Sequence, residues 1–247
     1  MTAAAAKHLV RGFGAVLLDV EGTTTPIEFV TGTLFPFARA RFPAFLLDHG
    51  ALPAVRADLE RLREEHRREG PADPPPAWDE GDRLAAATSY LLWLMDRDRK
   101  STALKSLQGR IWDEGFRAGM LLAPVYPDVA PALKRWNAGG AEACIFSSGS
   151  VLAQRLVFGH SSAGDLTPLL AAFFDTTTGP KREPDSYRRI AAVRGRASTE
   201  WLFLSDTTEE LDAARAAGMQ TALVVRPGAA EPAVTAHPVV RSFDELP

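Results

Sequence analysis

The chain has little of several things, and each scarcity excludes a class of protein. It has one cysteine, Cys144, so it can form no intrachain disulfide framework, and a reducing compartment, the cytoplasm, is expected rather than secretion. No apolar run approaches the roughly 20 residues of a membrane-spanning helix. Net charge is only −3, so no general attraction to nucleic acid or anionic membrane is expected. The opening Met1–Lys7 lacks the basic-then-apolar order of a signal peptide and reads as a frayed end. No repeat of the solenoid kind is visible. Lysine is scarce too: of 28 basic residues only Lys7, Lys100, Lys105, Lys134 and Lys181 are lysines. What remains is ordinary globular composition, 46% hydrophobic over 247 residues, enough for one to two domains.

Short apolar runs dominate the first and last parts of the chain. Ala15-Val-Leu-Leu-Asp19-Val20 reads as a buried strand that stops at an acid, followed by Gly22 and three threonines. After Pro124, strands are expected at 143–146, 172–174, 201–204, 221–225 and, at the edge, 239–243. Helices are expected between them at 127–137, 151–158, 184–193 and 208–217. Strands alternating with helices imply a parallel, right-handed α/β sheet of Rossmann-like type. Residues 27–120 carry helical patterns and no convincing strand. One helix is expected to bury Leu52, Val55, Leu59 and Leu62 and to close at Gly70. Pro71–Pro76 is a stiff loop. A second helical stretch, 78–98, is expected to present Leu84, Thr88, Leu91, Leu92 and Met95 on one side. Ser101 caps a third, which holds Leu104, Leu107 and Ile111. The organisation expected is therefore a discontinuous α/β core, residues 1–23 and 125–247, with an all-helical cap inserted at 24–124.

Ligands of open α/β sheets bind beyond the carboxyl ends of the strands, so those loops carry the chemistry. They read Asp19-Val-Glu21-Gly22-Thr23, Ser147-Ser148-Gly149-Ser150, Lys181 after the loop 175–180, and Ser205-Asp206-Thr-Thr-Glu-Glu210. Together they suit a phosphate bound with a divalent metal. Asp19 and Asp206 offer carboxylate oxygens to Mg²⁺. Asp19 is placed to attack phosphorus, and Glu21 to protonate a leaving alkoxide and then activate water. A serine hydroxyl and N–H groups near Gly149 suit phosphate oxygens, and Lys181 adds fixed positive charge. Singly, each feature has an ordinary structural explanation: a loop acid, a helix cap at Ser147–Ser150 or Asp206, a solvated lysine. Four polar clusters, each behind its own apolar strand in the order Asp, Ser, Lys, Asp, are hard to obtain by accident. Cys144 sits inside a strand and reads as core. His160 lacks a partner at metal-ligand spacing and reads as structural. Arg110 is either a substrate contact or a solvated helix charge.

These residues resemble the haloacid-dehalogenase superfamily of phosphohydrolases. Its first motif is usually Asp-x-Asp-x-Thr; here Glu21 replaces the second Asp. Asp19-Val-Glu-Gly-Thr-Thr-Thr-Pro-Ile27, Phe146–Ser150, Phe158-Gly-His-Ser161 and Leu204–Glu210 resemble the acireductone-forming enolase-phosphatase family of methionine salvage. So do Gln108–Trp112 and Val224-Val-Arg-Pro-Gly228, and the likeness spans roughly residues 13 to 245. The resemblance implies the substrate 2,3-diketo-5-methylthiopentyl 1-phosphate, enolised and then dephosphorylated to 1,2-dihydroxy-3-keto-5-methylthiopentene. It implies Asp19, Glu21 and Asp206 for Mg²⁺, with Glu21 binding through its main-chain carbonyl so that its carboxylate stays free. It implies Ser147, Ser148 and Lys181 for substrate, and Glu210 as an acid behind the metal ligands. The inserted helices become a lid, with Trp112 or Phe29 as candidates for the wall facing a thioether tail. Monomer is the default, with a small phosphate ester as the only partner. The rival expectations are a capped phosphomonoesterase for a sugar or glycolate phosphate and, more remotely, a non-enzymatic binding module on the same fold.

Overall fold

The computed structural model describes residues 12–230 and 235–247, so the Met1–Lys7 expectation lies outside the described residues. The chain divides into two compact units, one running up to Phe29 and resuming at Leu122, the other Val30–Leu121.

The discontinuous unit is built on six strands: β1 (Ala15–Leu18), β2 (Glu142–Phe146), β3 (Ala172–Phe174), β4 (Trp201–Ser205), β5 (Gln220–Val224) and β6 (Val239–Val240). Their order across the sheet is β3-β2-β1-β4-β5-β6, and every pairing is parallel. The strand that comes first in the chain therefore lies in the middle. Each of its four residues is fully buried, as a strand covered on both faces requires. Alternate residues supply the two faces. Ala15, Leu17, Cys144, Phe146, Trp201 and Phe203 join one cluster with Tyr187 and Ile190, while Val16, Leu18, Ile145 and Leu204 are buried on the other side. Burial pushes the Cys144 thiol up to about 12, so it behaves as a core residue.

The other unit is helical: α1 (Phe35–His49), α2 (Pro53–Arg67), α3 (Arg83–Asp96) and α4 (Thr102–Arg117), with a π-helical turn at Val30–Leu34 leading in. Ser101 caps α4 as expected, its hydroxyl accepting from the Leu104 N–H, and Leu104, Leu107 and Ile111 are buried. The expected faces of the two preceding helices need correction. In α2 Leu52 is exposed and Leu59 half-buried; the buried side is Val55, Asp58 and Leu62, and the helix ends at Arg67, short of Gly70. Asp58 belongs there because Ser106 Oγ (2.7 Å) and Arg110 Nε (3.1 Å) of α4 donate to it. Arg110 is thereby paired to a buried acid. In α3, which begins at Arg83 under an Asp82 cap, the buried set is Ala86, Ala87, Tyr90, Leu91, Trp93 and Leu94. The helix is apolar on nearly all sides, so periodicity does not choose its inner face. The stacked Tyr90 and Trp93 rings, 5.6 Å apart, take it.

Past the insertion the helices are α5 (Val129–Ala138), α6 (Val151–Gly159), α7 (Pro184–Val193) and α8 (Thr208–Ala216), each within two residues of its expected bounds. The edge strand expected at 239–243 is only Val239–Val240. Ser242 caps a single 3-10 turn that instead drives Phe243 into the core.

Candidate active site

The parallel sheet brings the carboxyl ends of β1, β2 and β4 side by side, and their loops hold the polar residues. Asp19 follows β1 directly and is almost fully buried. Its Oδ1 accepts from its neighbour's N–H (Val20, 2.8 Å) and from Lys181 Nζ (2.6 Å). Lys181 is also buried, and its second partner is Glu210 Oε2 at 2.5 Å. One of only five lysines thus sits between two carboxylates, 5.9 Å above the Phe146 ring. Burial alone would drive its proton off, but Asp19 and Glu210 outweigh it and hold the ammonium above the ordinary lysine range. Tyr187 donates to the Lys181 carbonyl (2.7 Å) and fixes the turn that delivers the side chain.

Glu210, on the first turn of α8, is raised by burial and then by the charge of Asp19, with Lys181 pulling it back down. Ser205, the last residue of β4, bridges the two acids, donating to Glu210 Oε2 (3.2 Å) with Asp19 Oδ2 at 3.4 Å. Glu21 lies half-buried in the β1 loop. Desolvation, then Asp19, raise its carboxyl above the usual range, which favours a group that must hold and release a proton.

Asp206 is not the cap of α8; Thr207 occupies that position. The Asp206 N–H donates to Thr23 Oγ1 (3.0 Å), tying the β4 loop to the β1 loop. Its carboxylate rests against Gly22, where the backbone has φ +70° and a Cβ would run into Oδ2. Gly22→Ala is therefore expected to strain the turn and displace Asp206. Urea melts should show a loss above about 1 kcal/mol and phosphate release should fall with it; an unchanged melt and rate would refute the packing argument.

Ser147, buried after β2, accepts the Gly149 N–H on its Oγ (3.0 Å), while Ser148 is exposed and Ser150 caps α6. Ser147 is thus free of the capping duty. His160 has its Nδ1 3.2 Å from the Leu156 carbonyl. Trp112, a candidate for contact with the substrate tail, donates Nε1 to the Leu34 carbonyl (2.8 Å) and stacks on Phe35, so its indole serves packing; Phe29 is likewise buried. Three residues that support the site were not singled out from sequence: Thr23, Ser205 and Arg226. All three lie inside the quoted motifs, but nothing local shows what their side chains reach.

The donor set suits a hard divalent cation. Asp206 is raised by desolvation and then by the negative charge of Asp19, so two carboxylates compete for one region. Among the described residues no three His, Cys, Asp or Glu side chains converge as a closed metal cage. A pair of carboxylates is what Mg²⁺ commonly takes from protein, with water and phosphate oxygens completing its shell.

A family model described as haloacid dehalogenase-like hydrolase matches residues 13–218. Proteins named Enolase-phosphatase E1 from Synechococcus elongatus and Sorangium cellulosum are 52% and 48% identical, each alignment covering 94% of this chain and 96% of the relative. Among solved structures, the UTR4 protein of Saccharomyces cerevisiae matches with a TM-score of 0.77 at 33% identity, covering 94% of this chain and 99% of that one. A dehalogenase at 18% identity and TM-score 0.53, covering 96% of each chain, shares the fold. By fold and site the molecule falls in a class of hydrolases that typically need a divalent metal. The chain belongs to the haloacid dehalogenase-like hydrolases and, within them, to the enolase-phosphatase E1 family.

Proposed function

We propose that this chain converts 2,3-diketo-5-methylthiopentyl 1-phosphate to 1,2-dihydroxy-3-keto-5-methylthiopentene and phosphate, in methionine salvage. The observation that carries the phosphatase half is the buried Asp19–Lys181–Glu210 arrangement at the end of the central strand. The substrate is the one implied by the resemblance to the enolase-phosphatase family, and relatives named Enolase-phosphatase E1 that match along nearly the whole chain support it.

Enolisation comes first and moves a proton from C1 to the C2 carbonyl oxygen; Asp19 then attacks phosphorus and takes the phosphoryl group as an aspartyl-phosphate, while the P–O bond to the C1 enol oxygen breaks. Glu21 gives its proton to that oxygen, then takes one from the water that hydrolyses the aspartyl-phosphate. Lys181 orients Asp19 through its 2.6 Å contact and adds positive charge where the phosphoryl oxygens develop negative charge. Ser147 and Ser148 hold the phosphate. Glu210 sets the position of Lys181. Asp19, Asp206 and the main-chain carbonyl of Glu21 would hold Mg²⁺, which when bound screens the nucleophile from the charge of the phosphate. Residues 1–23 and 125–247 form the catalytic α/β core domain and residues 24–124 the helical cap domain. The enzyme works as a monomer in the cytoplasm.

The test is a substrate panel with Mg²⁺, following the ultraviolet absorbance of the enol alongside free phosphate. The diketone phosphate should be turned over in preference to simple sugar phosphates or phosphoglycolate. Preference for the simple esters would replace this reading with that of a general capped phosphomonoesterase.

A further inference from the structure

A buried charged residue stands just beyond β5, outside the residues assigned to chemistry. Arg226 is 5% exposed, and its guanidinium carbon lies over two rings, 4.3 Å from the Tyr126 centroid and 4.5 Å from that of Phe243. Nη1 pairs with Asp128 Oδ2 at 2.6 Å, and Nε donates to the Thr23 carbonyl at 2.8 Å. Asp128 is itself held, its Oδ2 accepting from the Phe243 N–H (2.6 Å) and from Ser242 Oγ (3.2 Å).

A buried ion pair is weak evidence for stability, because desolvation cancels much of the Coulomb attraction. This one is not fully satisfied either: among the described residues, Arg226 Nη2 and Asp128 Oδ1 have no hydrogen-bond partner. What the arrangement does supply is direction. The guanidinium is held by two rings and an acid, and its Nε donates to one carbonyl. Thr23 is the residue whose hydroxyl receives the Asp206 N–H, and Asp206 packs on Gly22 next door. The same segment grips the following residue, the Tyr126 N–H donating to the Thr24 carbonyl (3.0 Å).

We infer that Arg226 is a positioning residue for Asp206, acting through Thr23: it fixes the β1 loop to which the Asp206 backbone is tied and against which its carboxylate rests. The inference rests on Asp206 being a metal ligand. Lysine cannot replace arginine in this role, because an ammonium has neither the plane for the stack nor the fork that spans Asp128 and Thr23.

The experiment titrates Mn²⁺, a hard cation with the same preference for oxygen ligands, into EDTA-stripped full-length protein and reads free Mn²⁺ by electron paramagnetic resonance. Arg226→Lys is expected to weaken binding about tenfold, the scale for loss of a supporting residue behind a metal ligand. Thr23→Val should weaken it too, and the double variant should bind no worse than the weaker single one, because the two act in series. A folded Arg226→Lys that binds Mn²⁺ as wild type does would overturn the inference, as would additive effects. Should Arg226→Lys fail to fold, Tyr126→Leu removes one plate of the stack and leaves the charges. Weakened Mn²⁺ binding is expected there, and unchanged binding overturns the inference. If the wild-type protein itself fails to bind Mn²⁺, the metal reading of Asp19 and Asp206 falls, and this inference with it.

Discussion

Asp19→Asn should leave phosphate release at background, a loss on the order of 10⁴-fold or more, as removal of a nucleophile does elsewhere. The substitution keeps the size of the side chain and an oxygen to accept from Val20 and Lys181. What it removes is the anionic oxygen that would form the bond to phosphorus, and an amide does not substitute for it. Lys181 keeps Glu210 as a partner, so the fold is expected to survive, which a thermal melt checks. Single-turnover release of phosphate with Mg²⁺ present is the direct measurement. Release within about tenfold of wild type would mean that water attacks phosphorus directly and that Asp19 serves the metal alone. Formation of the enol, followed by absorbance in the same variant, reports whether the proton-removal step needs Asp19 at all.

Lys181→Met strikes stability as well as turnover. Lys181 is the only cation among the described residues that pairs with both Asp19 and Glu210. Without it two buried carboxylates face each other, a break of the kind that costs about 3–5 kcal/mol. Turnover should fall by about 10²–10³-fold with the loss of a fixed charge at the phosphoryl oxygens. The stability loss has a pH signature. Glu210 is already raised by burial and by Asp19, and Lys181, ahead of the Ser205 hydrogen bond, lowers it. Removing the lysine raises the folded-state value further above that of the unfolded chain. A group raised in this way binds its proton more tightly when folded, so its contribution is favourable at low pH and is lost as pH rises through the folded value. Urea melts in EDTA should therefore show a wide gap between variant and wild type at pH 8 and a narrower one near pH 5.5. A gap of equal size at both would show that the two acids do not repel each other.

The strands were readable because each is a short apolar run broken by a polar loop. A parallel sheet covered on both faces imposes that pattern residue by residue. The helices flanking the sheet were readable for a related reason, since one buried face marks the sequence at helical spacing. In the helical unit the signal was poorer. Asp58 lies in a seam because Ser106 and Arg110, on another helix, meet it there, and no hydropathy pattern records that. In α3 apolar residues crowd both sides, and Tyr90 and Trp93 decide the inner face by stacking. Phe243 likewise leaves the expected strand because a Ser242-capped turn sends it inward.

At the site the sequence alone determined which residues stand at strand ends, and with them the order Asp19, Ser147, Lys181, Asp206. A loop residue behind a buried strand has only one place to be. Tertiary structure decided the pairings: Lys181 to Asp19 across 162 residues, Asp206 to Thr23 across 183, Arg226 to Asp128 across 98. Periodicity and composition report whether a side chain is buried. They carry no record of which distant atom it meets, because that is settled only when the sheet orders its strands.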